Sequence, residues 1–299
     1  MFISVDALKQ KYDVIIVGSG FGSLFFLEKL RQISPLQRVL VLEWGKYRTH
    51  SWQIENNKNS EFNFWEEHES PPGQKPWVYS IGLGGGTNCW WGQTPRMLPN
   101  DFRTKTAYGV GSDWPISYDE LIPYYREAEQ LMSIAGPNDL DSLFPGSSPY
   151  PQPAHRMSTP DEMIRKQSPD FHFPVPSARM RIASETRGAC CSSARCDLCP
   201  VNSKFAAHNS SMHLFEDEAT DVLLDAKVDS LDIQNDVVTG VNFFVGDTAH
   251  TVKSERVILG ANAIQSPYIL QKSGVKHPVL GKSLHRSEER RVGKESEAR

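Results

Sequence analysis

Four consecutive stretches near the start of the chain constrain its fold more than anything else in it: "YDVIIV" (12–17), "GSGFGS" (18–23), "LFFLEKLRQI" (24–33) and "RVLVLEWG" (38–45). A short β-branched run such as the first is the kind buried on both faces of a parallel sheet. Leu24, Leu27, Leu30 and Ile33 then recur at helical spacing. The order strand, glycine turn, helix, strand predicts one βαβ unit. Gly18 and Gly20 allow the tight turn and the close approach of backbone to a pyrophosphate at a helix N-terminus. Ser23 stands where such fingerprints usually carry a third glycine, and it is small enough for helix–strand contact. Glu43 ends the second strand, about 20 residues further on, where a carboxylate takes ribose hydroxyls and favours a free ribose over a 2′-phosphate. An adenine dinucleotide is the expected ligand of this unit.

A second feature is "LGGGTNCWWGQTPRMLPNDF" (83–102). Adjacent glycines weaken regular structure, whereas tryptophans bring large apolar planes. Elsewhere, residues 46–80 are polar and read as an excursion. Residues 117–136 predict an amphipathic helix with Leu121, Tyr124, Tyr125, Ala128 and Leu131 on one side and Gly136 as its stop. Residues 137–177 are proline-rich and predict a surface meander of a second domain. A helix is expected near 204–217. Residues 221–259 alternate as short strands separated by turns, predicting an antiparallel meander. A last helix is expected over 260–274, ended by Gly274.

Composition narrows the function classes. With 32 basic and 36 acidic residues the net charge is −4, which gives no electrostatic basis for a nucleic-acid partner. No run of about 18 apolar residues occurs, so no membrane-spanning segment is expected. The stretch "MFISVDALKQKYDV" lacks the apolar core and small-residue site of a secretory signal. A cytoplasmic location is expected, or a periplasmic, membrane-peripheral one if a partner subunit carries the chain across.

Of five cysteines, Cys190, Cys191, Cys196 and Cys199 fall within "RGACCSSARCDLCPVNSK". Such clustering without an export signal points to metal before disulfides. Zinc normally takes two separated Cys-x2-Cys arms, and Cys196 and Cys199 form one such pair. Adjacent cysteines suit a larger iron–sulfur cluster better. Iron–sulfur, zinc and purely structural cysteines all stay open at this point.

The set "DVIIVGSGFGS", "VLVLEWG", "LGGGTNCWW" and "VILGANAIQSPYILQKSG" resembles the glucose–methanol–choline (GMC) family of flavin oxidoreductases over about residues 10–285. The "GG-T…W…R-LPNDF" pattern is most similar to catalytic subunits of bacterial FAD-dependent sugar and polyol dehydrogenases. The resemblance implies an α/β fold: a Rossmann-like FAD-binding domain with an antiparallel meander (10–115 and 204–285) and part of an α+β substrate domain with the Cys-rich loop (116–203). It implies FAD contacts from Gly18, Ser19, Gly20 and Phe21, from Glu43 and Trp44, and from Gly85, Gly86, Thr87, Asn88, Cys89 and Trp90. Val228 would meet the adenine, and Ala261 lies in the "GAN" turn. Trp90 and Trp91 would wall the flavin. Cys89 stands where relatives often carry a histidine bonded to flavin, so a histidyl bond is excluded, while a cysteinyl bond or a small buried thiol remains.

The cysteine segment resembles that of FAD-dependent glucose dehydrogenase catalytic subunits, which implies a [3Fe-4S]-type cluster on Cys190, Cys191 and Cys196, with Cys199 spare. Hydride reduction delivers two electrons together and cytochromes accept one, so a relay would make this a dehydrogenase. The implied partners are a sugar or polyol substrate, a small carrier subunit and a cytochrome c or quinone acceptor. The family's catalytic base is a C-terminal histidine; none of the nine histidines here, His208 and His285 included, sits in such a motif. "RSEERRVGKE" (286–295) resembles a translated sequencing adapter, so residues 286–299 are expected to be a non-native or disordered tail and the chain a truncated one, with its base beyond residue 285. The competing readings are a nicotinamide-dependent Rossmann oxidoreductase and a non-catalytic metal-binding or electron-relay module.

Overall fold

The first four stretches fold as their pattern dictates. In a computed structural model, which describes residues 1–70, 77–282 and 284, Val14–Val17 and Val39–Leu42 form parallel strands on either side of a helix, Phe21–Ile33. Both strands are buried throughout, as β-branched runs of this kind require. The chain clusters into two units, Met1–Tyr47, Ser60–Gly85 and His213–Arg299 in one, and Arg48–Asn59 and Gly86–Met212 in the other. Residues 286–299, and with them the adapter-like stretch, lie outside the described residues.

The first unit is an α/β layer. Its parallel sheet runs Thr220–Leu223, Val39–Leu42, Val14–Val17, Val257–Leu259 in spatial order. A separate antiparallel sheet joins Ala226–Gln234, Val237–Val245 and Thr248–Lys253. The sequence reading placed all of 221–259 in the meander, and the structure corrects both ends of it. "DVLLDAKV" is broken at Asp225, whose left-handed backbone (φ 55°) turns the chain out of one sheet and into the next. One apolar core serves both sheets: Tyr12, Ile15, Val17, Leu40 and Leu42 meet Leu223, Val241, Phe243 and Val252. Ile269, from the helix Asn262–Lys272, closes it. The α/β class with a parallel sheet and a meander is as expected.

The second unit is mostly helix and irregular chain. Tyr118–Met132 starts on a capping box, in which Ser117 Oγ accepts from Glu120 N–H and Glu120 accepts from Ser117 N–H. It ends at Ser133, which takes the left-handed conformation (φ 54°), three residues before the expected stop at Gly136. Its inward face also differs from the periodicity reading: Tyr124 is exposed, while Tyr118 and Glu129 are buried. Arg96 is the reason. Its guanidinium forks onto the Glu129 carboxylate (Nε–Oε1 2.7 Å, Nη2–Oε2 2.8 Å) and lies over the Tyr125 ring. Burial works against that charge, but the bonds and charge of Glu129 outweigh it and raise the guanidinium pKa. The proline-rich stretch is not wholly superficial, because Leu140, Phe144 and Tyr150 are buried.

Candidate functional site

In the first unit the glycine turn is built by close backbone contact. Gly18 has φ +81°, and a Cβ there would sit 2.8 Å from the carbonyl oxygen of Gly260. A Cβ on Gly260 would in turn collide with Ser23 Oγ. The turn thus packs on "GAN" (260–262) through positions where neither partner can grow. Gly20, which has no side chain, is the N-cap of the 13-residue helix Phe21–Ile33, so no side-chain bond caps that end.

Ser19 ties this turn to two other segments. Its N–H and hydroxyl both donate to Glu43 Oε2 (3.0 and 2.5 Å), and its oxygen accepts from Gly84 N–H at 2.9 Å. Glu43 is buried at the end of its strand and also accepts from Gly45 N–H at 2.9 Å. Burial raises the carboxyl pKa, while the bonds from Gly45, Ser19 and Gly82 hold it back. Gly85 follows in the glycine run, and a Cβ there would lie 3.0 Å from Gly20 Cα. Two of the run's glycines therefore meet the turn, Gly84 through the Ser19 hydroxyl and Gly85 against the Gly20 backbone. No sequence rule marks Ser19 as this bridge, because the middle residue of a G-x-G turn is free in the fingerprint.

The other expected contacts of this unit are spread around it. Phe21 opens the helix, with its ring 6.4 Å from that of Phe25. Trp44 packs on Phe62 and carries the Lys227 ammonium 3.9 Å from its ring centroid. Val228 pairs with Phe243 in the meander, and Ala261 caps the last helix.

In the second unit, residues 86–90 form a turn in which the Gly86 carbonyl accepts from the N–H of Cys89 and of Trp90. Thr87 and Asn88 are buried and Cys89 is half-buried. Residues 204–207 hold this turn. Lys204 Nζ donates to the Asn88 carbonyl at 2.7 Å, Trp90 Nε1 to the Phe205 carbonyl at 2.8 Å, and Ala207 N–H to Thr87 Oγ1 at 3.1 Å. Trp91 is exposed. Burial pushes the Lys204 ammonium down to about 8, against the pull of Cys89, Cys199 and Cys196. Sequence reading missed Lys204, since nothing local in "SKFAAH" marks its lysine as buried.

The cysteine-rich loop does not present a ready metal centre. Among the described residues no group of three or more Cys, His, Asp or Glu side chains is placed to hold a metal ion. Cys191 is exposed and Cys190 half-buried, whereas Cys196 is buried and its Sγ accepts from Arg179 Nη1 at 3.4 Å. Cys199 Sγ accepts from Ser203 N–H at 3.2 Å. The cluster expected on Cys190, Cys191 and Cys196 does not fit this arrangement, and zinc fits no better. The thiols are near one another in sequence, yet two of them, Cys196 and Cys199, accept bonds from different partners, Arg179 and Ser203. His208 Nε2 donates to Asn202 Oδ1 (3.0 Å), and its ring stacks on His50, with centroids 6.0 Å apart. Burial, with His50 and Lys204 near, pushes its imidazole down to about 4.

A helix N-terminus without a side-chain cap, a tight glycine turn and a buried carboxylate at the next strand end thus lie together in the first unit. The chain belongs to the GMC oxidoreductase family, whose model matches residues 76–288. It is 28% identical over 293 residues to the fructose dehydrogenase large subunit of Gluconobacter japonicus, covering 86% of this chain and 53% of that protein. It is 27% identical over 301 residues to 6'''-hydroxyparomomycin C oxidase of Streptomyces lividus, covering 92% and 52%. Over 139 residues it is 32% identical to 2-methyl-1,2-propanediol dehydrogenase of Mycolicibacterium austroafricanum, covering 42% and 25%. The chain thus spans about half the length of the first two. Pyridoxine 4-oxidase from Mesorbium loti shares the fold with a TM-score of 0.58 at 17% identity, covering 90% of this chain and 53% of that one. No helix among the described residues is long and apolar enough to cross a membrane.

Proposed function

We propose that this chain is the FAD-binding part of a dehydrogenase that oxidises a CH–OH group of a sugar or polyol. The observation that carries the proposal is the approach of Gly84 and Gly85 to the Ser19–Gly20 turn beside buried Glu43. In this reading the helix start and Gly18–Phe21 hold the pyrophosphate, and Glu43 orients the adenosine ribose. Trp44, Val228 and Ala261 line the adenine side and the returning turn. Gly85, Gly86, Thr87, Asn88, Cys89 and Trp90 cover the flavin. FAD supplies the hydride acceptor when bound. The domain proposal follows the resemblance, with 10–115 and 204–285 for FAD and 116–203 for substrate.

Alcohol oxidation also needs a base for the hydroxyl proton. We assign that role to none of the described histidines: His208 is committed to Asn202 and His50. Sugar or polyol chemistry is supported by relatives named for fructose and propanediol, and a partner subunit by one of them being a large subunit. A cytochrome c or quinone would then take the electrons, but no cluster relay enters the proposal, because the thiols do not converge.

Purified protein should be yellow with flavin absorbance bands. In the full-length enzyme, anaerobic addition of a sugar or polyol should bleach them. A colourless preparation that takes up NAD instead of FAD would refute the reading.

A further inference from the structure

The turn 86–90 and the cysteine-rich loop share one buried fastening. Lys204 Nζ, which donates to the Asn88 carbonyl, also donates to the Asp197 carbonyl at 3.3 Å. With its amide turned to donate, Asn59 reaches the same two carbonyls at 3.0 Å each. Two donors from distant parts of the second unit therefore bracket one pair of acceptors. Asp197 lies directly after Cys196, and Asn88 directly before Cys89. The helix preceding Asn59 is itself tied to the same loop, through His50 Nε2 on the Cys199 carbonyl at 2.7 Å and Arg195 on Asn57 Oδ1 at 2.8 Å. Bonds from a charged donor to buried carbonyls are among the stronger ones, and an acceptor left without its donor carries a desolvation cost.

We infer that Lys204 and Asn59 are positioning residues that clasp the Thr87–Trp90 turn to the Cys196–Cys199 loop, so that the two segments hold and open as one. Its bearing on the flavin rests on the proposed function, since that turn is the one assigned to cover the ring. Removing either donor loosens both segments together, although Cys89 and Cys196 are far apart in sequence.

Native-state labelling with N-ethylmaleimide, read at each cysteine by mass spectrometry with and without added FAD, tests this. Exposed Cys191 reports the intrinsic rate. In Lys204→Met, labelling of Cys89 and of Cys196 should rise together by about tenfold, with Cys191 unchanged. Lys204→Arg should restore most of the protection, and Asn59→Leu should repeat the paired rise more weakly. With FAD bound, Lys204→Met should also alter the visible circular dichroism of the flavin, and Lys204→Arg should return it. Acceleration at Cys89 alone, or no change at either site in Asn59→Leu, overturns the inference. Should Lys204→Met unfold the chain, shown by Cys190 rising equally, the Asn59→Leu and Lys204→Arg results decide. A protein that takes up no FAD refutes the functional reading and leaves the labelling result standing.

Discussion

At the scale of single residues, the contact between Ser23 and Gly260 explains a departure that the sequence left as a curiosity. Serine at the third fingerprint position survives because the residue facing it has no side chain. Gly260→Ala should therefore cost about 1–3 kcal/mol through overpacking. Adding Ser23→Gly should recover part of that loss, so a double-mutant cycle in urea should show a favourable coupling. His208 gives a pH signature with a definite sign. Its folded-state value of about 4 lies below the ordinary 6.5. Between those values the unfolded chain binds a proton that the folded chain refuses, so stability falls as pH drops from 6.5 towards 4. The loss is bounded at about 3 kcal/mol and is absent above 6.5. His208→Gln should flatten the stability–pH curve over that window, as read by urea midpoints at several pH values; an unchanged slope would clear His208 of the effect.

At the scale of elements, local signals were legible and long-range ones were not. The apolar period over 117–136 predicted the helix Tyr118–Met132, yet it set Tyr124, which is exposed, on the inward face. A buried ion pair, joining residues 33 apart, overrode the apolar pattern. Glu129→Ala should then cost about 3–5 kcal/mol, because Arg96 would stay buried without its partner. Arg96→Met with Glu129→Met should be markedly less harmful than that single change, with thermal midpoints as the measure. The meander shows the same division. Its alternation was readable, but which sheet the flanking runs join depends on the reversal at Asp225, which carries no residue signal beyond a turn-tolerant aspartate.

At the scale of the molecule, the βαβ unit and its fingerprint were read almost completely from sequence, because that fold is written in contiguous residues. The glycine run was legible as something that approaches a ligand, whereas its partners were not. Ser19, Lys204 and Asn59 act through contacts across 65, 116 and 29 residues of chain. The cysteines show the converse: close spacing suggested a common centre, and among the described residues no group of three or more Cys, His, Asp or Glu side chains is placed to hold a metal ion. The central claim is that the glycine run and the phosphate-type turn form one cradle for FAD. Titration with FAD, followed by quenching of its fluorescence, tests this directly. The native protein should saturate at one FAD per chain. Gly85→Ala, whose Cβ would press on Gly20, should weaken binding at least about tenfold while its far-ultraviolet circular dichroism is unchanged. No uptake by the native protein, or equal affinity in the folded variant, would contradict the account.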